Sequence, residues 1–214
     1  MSQASFSGAV STADGPEGIV LANIGTGGQL SCLTEGFETC AHCETRPYDG
    51  EKYLLAASSL CGGRAYALLE RFFEETLAAF GAERSQEEVY AAMARLLADP
   101  PADRPVVDPV FAGTREDPGR RGRISGLTTE NLTPAALTAG FLEGIAAEFL
   151  PAYEAMRRTH AFRGIALSGN ALRRNPYLQQ AFLRLYGLPP IPPAPPEEAA
   201  YGAVRMLPGS QHNK

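Results

Sequence analysis

An α/β fold is the class this sequence predicts, and three observations predict it. Apolar β-type runs crowd the first sixty residues, amphipathic helical stripes follow, and short apolar runs return between those helices. Glycine-bearing turns stand at the ends of three predicted strands, at 25–28, 62–63 and 168–171. In an α/β sheet, ligands sit beyond the carboxyl ends of strands, so these turns are the first places to look for a site. At 214 residues the chain has length for one large domain or two small ones, with a sizeable core.

Residues 1–18 are small and polar, with Asp14-Gly15-Pro16 as a turn signal. Ile19 to Ala22 and Leu30 to Leu33 are apolar runs, and Gly25-Thr26-Gly27-Gly28 between them reads as the turn of a β-hairpin. Such a turn either simply reverses the chain or holds an anion. Glycines let backbone N–H groups close on phosphate oxygens without a charged side chain, and Thr26 adds a hydroxyl donor. Residues 36–50 read as loop, and Lys52 to Ser59 as a strand. Cys61-Gly62-Gly63 opens a helix whose Ala65, Leu68, Leu69, Phe72, Phe73, Leu77 and Phe80 form a stripe predicted to face the core, ended by Gly81. Ser85 and Glu88 make a capping box for a helix carrying Val89, Met93, Leu96 and Leu97, which Pro100-Pro101 stops.

Val106 to Phe111 is a predicted strand, a polar loop follows from Gly113 to Pro118, and order resumes at Ile124 to Leu127. Thr133-Pro134 supplies an N-cap and first-turn proline for a long helix with Leu137, Phe141, Ile145 and Phe149 on one face. Its Gly140 and Gly144 allow close backbone packing, and Pro151 should end or kink it. Gly164 to Ser168 is a short buried strand. Asn175-Pro176 starts a helix with Leu178, Phe182 and Leu185 inward and Gly187 at its end. The proline-rich run from Leu188 to Pro193 reads as a rigid connector to a last helix, from Pro196 to about Met206. That places one domain over 1–207, with 208–214 as a tail.

Composition narrows the partners. A net charge of -5 and no long basic run argue against nucleic acid; Arg120-Arg121-Gly122-Arg123 reads as a solvated loop. No run approaches about 20 apolar residues, so no membrane span is expected, and the N-terminal residues carry no secretory signature. The expected location is the cytoplasm. Cysteines at 32, 40, 43 and 61 suit reduced thiols there. Cys40-Ala41-His42-Cys43 has the spacing of a zinc knuckle, but a structural zinc site takes four ligands, and no second knuckle accompanies it; ordinary thiols are the expectation, with no metal.

Seven stretches in order resemble one family. They are Gln3 to Phe6; Asn23 to Ser31; Gly62-Gly63; Phe111 to Pro118 with Arg121-Gly122 and Gly126-Leu127; Leu142 to Ala146; Ser168 to Asn175; and Glu197 to Ala203. Together they resemble the C-terminal half of the FGGY carbohydrate kinases, in the actin-like ATPase (ribonuclease H-like) superfamily. Gly-Asn-Ala-Leu-Arg-Arg-Asn at 169–175 is most similar to the sedoheptulokinase branch. The resemblance implies a single C-terminal half of a two-domain sugar kinase, with ATP and Mg²⁺ as cofactors and a ketose as acceptor. It implies that Gly25, Thr26, Gly27 and Gly28 contact the β- and γ-phosphates. Gly63, Gly169, Asn170 and Ala171 would line the nucleotide pocket, with Asn175 beside them.

Where the family carries its catalytic Asp, in a Gly-Asp-x-Gln segment, aligning Gln3 with the Gln puts Met1. The expectation is therefore no catalytic residue in this chain and no useful kinase activity alone, the chain being either a truncated gene product or one half of a split enzyme whose separately encoded N-terminal half handles the sugar. An apolar or poorly paired patch near residues 1–10 and the glycine hairpin should then await that half. The alternative is a non-catalytic nucleotide-binding or interaction module that keeps the fold without the reaction.

Overall fold

The computed structural model describes residues 2–192 and 198–205. Expectations for Met1, for the proline-rich 193–197, for the end of the last helix at 206–207 and for the tail 208–214 lie outside the described residues. The strands are Ile19–Ile24 (β1), Gly28–Thr34 (β2), Glu44–Asp49 (β3), Lys52–Ser59 (β4), Val106–Asp108 (β5), Arg123–Ser125 (β6) and Gly164–Ser168 (β7). The helices are Ser2–Ala9 (α1), Gly62–Ala79 (α2), Gln86–Leu96 (α3), Pro134–Ala147 (α4), Leu150–Met156 (α5), Asn170–Arg174 (α6), Pro176–Tyr186 (α7) and Glu198–Arg205 (α8).

Five strands make one sheet in the order β3-β4-β2-β1-β7, and β5 pairs with β6 apart from it. β1 runs antiparallel to β2, with Ile24 opposite Gly28 across the turn, and parallel to β7, with Asn23 opposite Ser168. Parallel pairing puts the carboxyl ends of β1 and β7 side by side, which is what brings two distant turns together. The proline run continues the β7 edge: Ile165 donates to the Pro189 carbonyl and Ile191 donates to the Ile165 carbonyl, at 2.9 and 2.8 Å.

Side-chain alternation divides the core between the two faces of the sheet. Val20, Ala22, Ile24, Leu30, Cys32 and Leu55 point to one face, where Leu142, Ile145 and Phe182 cover them. Ile19, Leu21, Leu33, Leu54 and Ala166 point to the other, under Phe6 and Ala9 of α1 and the following Val10. Each such aliphatic side chain, fully buried, contributes roughly 1.5–3 kcal/mol of transfer free energy. Helix starts follow the sequence closely. Ser85 and Glu88 form the capping box of α3, Thr133 accepts from Ala136 N–H ahead of Pro134, and the Asn175 side chain caps α7. Gly140 and Gly144 face the backbone of Pro105 and Val107, where a Cβ would overlap a carbonyl oxygen.

Several expectations are corrected. The first residues form α1, anchored by the fully buried Phe6. The stretch 36–50 contains β3, an edge strand in which Glu44, Pro47 and Asp49 stay exposed. The α2 stripe faces the core only in its first half: Ala65 and Leu69 are buried, whereas Phe72 is 54% and Phe80 86% exposed, because the second half of α2 has no described element covering it. The strand expected over 106–111 stops at Asp108, where Pro109 lacks the N–H a ladder needs. Leu185 is exposed and Tyr186 takes the inward place, its hydroxyl donating to the Ala146 carbonyl. Among the described residues, no large exposed hydrophobic side chain lies in 2–33, so the apolar patch expected near the N-terminal residues and the hairpin is not found there. Pro134–Met156 is long and apolar enough by composition to cross a membrane, yet it is α4 and α5, mostly buried inside the protein.

Candidate functional site

The β1–β2 turn is fastened to the start of α2 through its carbonyls. Gly63 N–H donates to the Gly25 carbonyl at 2.9 Å, Arg64 N–H to the Thr26 carbonyl at 3.1 Å, and Gly25 N–H to the Gly27 carbonyl at 2.9 Å. All three turn carbonyls are thus engaged. Among the described residues, the N–H groups of Thr26 and Gly27 and the Thr26 hydroxyl donate to no protein group. Nothing lies within 4 Å of a Cβ built on Gly25. A turn whose acceptors are occupied and whose donors are free is chemically an anion receptor.

Close approach at α2 explains its glycines. Gly62 has φ +38°, and a Cβ there would overlap the Gly27 carbonyl carbon. Ser59 stands behind this junction: its hydroxyl oxygen accepts from Cys61 N–H and Gly62 N–H, both at 3.1 Å, and its hydrogen goes to Glu148 Oε2 at 2.8 Å. Burial pushes the Glu148 carboxyl above the usual carboxylate range, and the Ser59 hydrogen bond opposes that rise.

At the neighbouring strand end, Gly169 (φ +89°) lies against the Ile24 carbonyl, so a side chain there would both clash and strain the backbone. Asn170 follows as the start of α6. A cavity of about 900 Å³ opens between these two turns and α3. Gly25, Thr26, Gly63, Asn170, Ala171 and Asn175 line it, so six of the nine residues nominated from sequence meet at one place. The other three stand behind the wall. Gly27 backs onto the Ser59 carbonyl, 2.9 Å from a Cβ position; Gly28 packs against Phe149; Gly169 braces β1.

Tyr66 and Tyr90 also line the cavity, their rings 5.7 Å apart, and the sequence reading passed over both. Their signal was the position of Tyr66, one helical turn beyond the Gly62-Gly63 pair. Burial pushes the Tyr66 phenol well up, so it stays protonated and can donate. Arg64 and Arg174 bring two exposed guanidinium groups to the same lining.

A second concavity of about 500 Å³ has Glu148 in its wall, together with Glu44, Asp108, Arg115 and Arg120. Two ion pairs lie in its walls, Arg115–Glu44 and Arg120–Asp108, each at 2.8 Å. The cysteines are all free thiols. Burial pushes Cys32 up to about 12 and raises Cys43 further, which keeps both protonated. Among the described residues, no three His, Cys, Asp or Glu side chains are grouped for a metal ion.

Comparison with known proteins bears on this geometry. Residues 20–207 match the sequence profile of the "FGGY family of carbohydrate kinases, C-terminal domain". The sedoheptulokinase of Mus musculus is 26% identical over 164 residues, 75% of this chain and 34% of the relative. That of Homo sapiens is 25% identical over 177 residues, 78% of this chain and 37% of the relative. This chain therefore spans about a third of the length of the curated relatives it matches. Among solved structures, xylulose kinase from Rhodospirillum rubrum superposes with a TM-score of 0.75 at 22% identity, over 94% of this chain and 39% of that one. Plasmodium falciparum glycerol kinase with ADP gives 0.70 at 16% identity, over 98% and 42%. The fold is that of these sugar kinases, the actin-like ATPase fold. With its profile match covering most of its length, the chain belongs to the FGGY family of carbohydrate kinases, as that family's C-terminal domain.

Proposed function

We propose that residues 1–207 form one nucleotide-binding domain that holds ATP, with its Mg²⁺, for phosphoryl transfer to a ketose. The observation that carries this reading is the hairpin turn: carbonyls engaged inward, Thr26 and Gly27 N–H groups free, beside a cavity that Asn170 and Ala171 share. The donors and the Arg64 guanidinium suit the β- and γ-phosphates; the Tyr66 and Tyr90 rings suit a base, whose face stacks on aromatic groups. The cavity volume fits a nucleotide-sized ligand, typically about 300–1,000 Å³. Mg²⁺ carried with the nucleotide neutralises charge on the transferring phosphoryl group. Gly28 and Gly169 act in this reading as supports of the wall, and Gly27 backs onto Ser59 while its N–H serves as a donor.

Sedoheptulose is the proposed acceptor, on the strength of the curated relatives. No described residue is assigned as the base for the sugar hydroxyl. Transfer needs a sugar-binding half beyond residues 1–214, on the same polypeptide or a separate one, and the cytoplasm is the proposed location, where four free thiols stay reduced. Positioning two reactants can supply ~7–11 kcal/mol of a barrier, whereas a general base supplies typically ~10²–10⁴-fold. Loss of positioning is therefore the larger handicap of this chain alone.

Isothermal titration of the purified 214-residue chain with ATP–Mg²⁺, followed by a coupled ADP assay with sedoheptulose, tests both halves of the proposal. Saturable binding with no sugar-dependent ADP formation is expected, with turnover restored once a sugar-binding half carrying the family Asp is supplied. A folded chain that binds no ATP refutes the nucleotide site, and sugar-dependent turnover by the chain alone refutes the need for a second half.

A further inference from the structure

We propose that Glu148 is a positioning residue for the phosphate-binding hairpin, acting through the hydroxyl of Ser59. The inference rests on the nucleotide reading above and adds a residue that none of the sequence motifs contains.

A serine Oγ has one hydrogen and two lone pairs. At Ser59 both lone pairs are used, by Cys61 N–H and Gly62 N–H, so its single hydrogen must find an acceptor elsewhere. Glu148 Oε2, at 2.8 Å, is that acceptor. Ser59 is buried, so an unmet hydroxyl there would rotate toward another acceptor and give up one of its two N–H bonds.

Those N–H groups belong to the first turn of α2. Its N-cap residue, Cys61, makes no side-chain cap hydrogen bond, so Ser59 fills the capping role from two residues upstream. The same turn carries the hairpin: Gly63 and Arg64 donate to the Gly25 and Thr26 carbonyls, and Gly62 sits against Gly27 with no room for a Cβ. The Ser59 carbonyl is also the atom that a Cβ on Gly27 would meet, at 2.9 Å. A displacement of residues 59–62 is therefore passed to residues 25–27 by direct contact. Glu148 reaches this junction from just beyond the end of α4, while Phe149 packs against Gly28. Asp108 and Arg120 are the charged groups that face Glu148 from the neighbouring segments.

Three substitutions in the 214-residue chain test the proposal: Glu148→Ala, Glu148→Gln, which keeps a carbonyl acceptor, and Ser59→Ala. Titrations use ATP–Mg²⁺ and AMP. Glu148→Ala and Ser59→Ala should weaken ATP binding about 10-fold while AMP binding stays within about twofold, and Glu148→Gln should restore ATP binding to within about threefold. Equal losses for ATP and AMP, or a Glu148→Gln variant as weak as Glu148→Ala, would overturn the proposal in favour of general stabilisation. Amide hydrogen exchange at Gly25, Gly63 and Arg64 supplies a readout without nucleotide. It should be faster in Glu148→Ala and Ser59→Ala and unchanged in Glu148→Gln. Should the wild-type chain bind no nucleotide, the functional reading falls alone and exchange still decides the positioning claim; unaltered exchange in Glu148→Ala refutes it. If Glu148→Ala does not fold, Ser59→Ala carries the same comparison.

Discussion

The walls of the two cavities are built in opposite ways. Toward the large cavity, the hairpin and the α2 start are joined by backbone hydrogen bonds of 2.9–3.1 Å between glycine-rich segments. Toward the smaller concavity stand side-chain ion pairs, Arg115–Glu44 and Arg120–Asp108, whose members other than Asp108 are about half exposed. Backbone bonds in a glycine junction fix the positions of donors and tolerate no added atom. Exposed ion pairs tolerate exchange, since each is worth ~0–1 kcal/mol and is screened by salt. The first wall can hold a ligand in a defined pose, and the second wall can change with little consequence for it.

The harshest way to break that contrast is Gly62→Ala. Its Cβ would overlap the Gly27 carbonyl carbon at φ +38°, so overpacking and backbone strain add. A loss on the order of 3 kcal/mol of stability, measured by urea unfolding, is expected, with ATP binding abolished. Unchanged stability would show that the junction is looser than described. Next in size is Thr26→Ala, which removes a free hydroxyl donor without touching the three carbonyl bonds. It should weaken ATP binding about 10-fold by calorimetry and leave the unfolding midpoint where it was.

The smallest effect belongs to the other wall. Arg115→Ala should alter stability by less than about 1 kcal/mol and leave ATP affinity unchanged. Its partner Glu44 is held below the usual carboxylate range, first by the Arg46 hydrogen bond and then by Arg115. A depressed folded pKa contributes stability above the unfolded value, near ~4.3, and that contribution is lost as pH falls through the folded value. Glu44→Gln should therefore flatten the acid limb of the stability profile slightly, and a marked change near neutral pH would contradict the assignment.

The same contrast explains what was legible in the sequence. β1 and β2 were readable because fully buried strands are apolar runs, and Gly-Thr-Gly-Gly between them marks the reversal. β3 was not: Glu-Thr-Arg-Pro-Tyr-Asp is an edge strand, with charge and a proline that suit an edge and read as loop. α1 escaped because Ser-Gln-Ala-Ser-Phe-Ser-Gly-Ala carries no stripe, only Phe6. The α2 stripe was real as a pattern, but periodicity does not say where the covering elements end, and Phe72 and Phe80 lie beyond them. At the site, the glycine turns announced themselves as motifs. Tyr66 and Tyr90 did not, because their place in the cavity depends on how α2 and α3 pack. Glu148 was invisible for the same reason: its partner Ser59 is 89 residues away.

The central claim is that the hairpin and the β7–α6 turn hold one nucleotide between them. A titration of the ¹⁵N-labelled 214-residue chain with ATP–Mg²⁺, followed by amide shifts, tests it most directly. Saturable shifts with one common dissociation constant are expected at Thr26, Gly27, Asn170 and Ala171, with little movement at Glu44 and Arg115. Saturation at the second group without the first, or shifts at Thr26 and Asn170 that follow different constants, would contradict it.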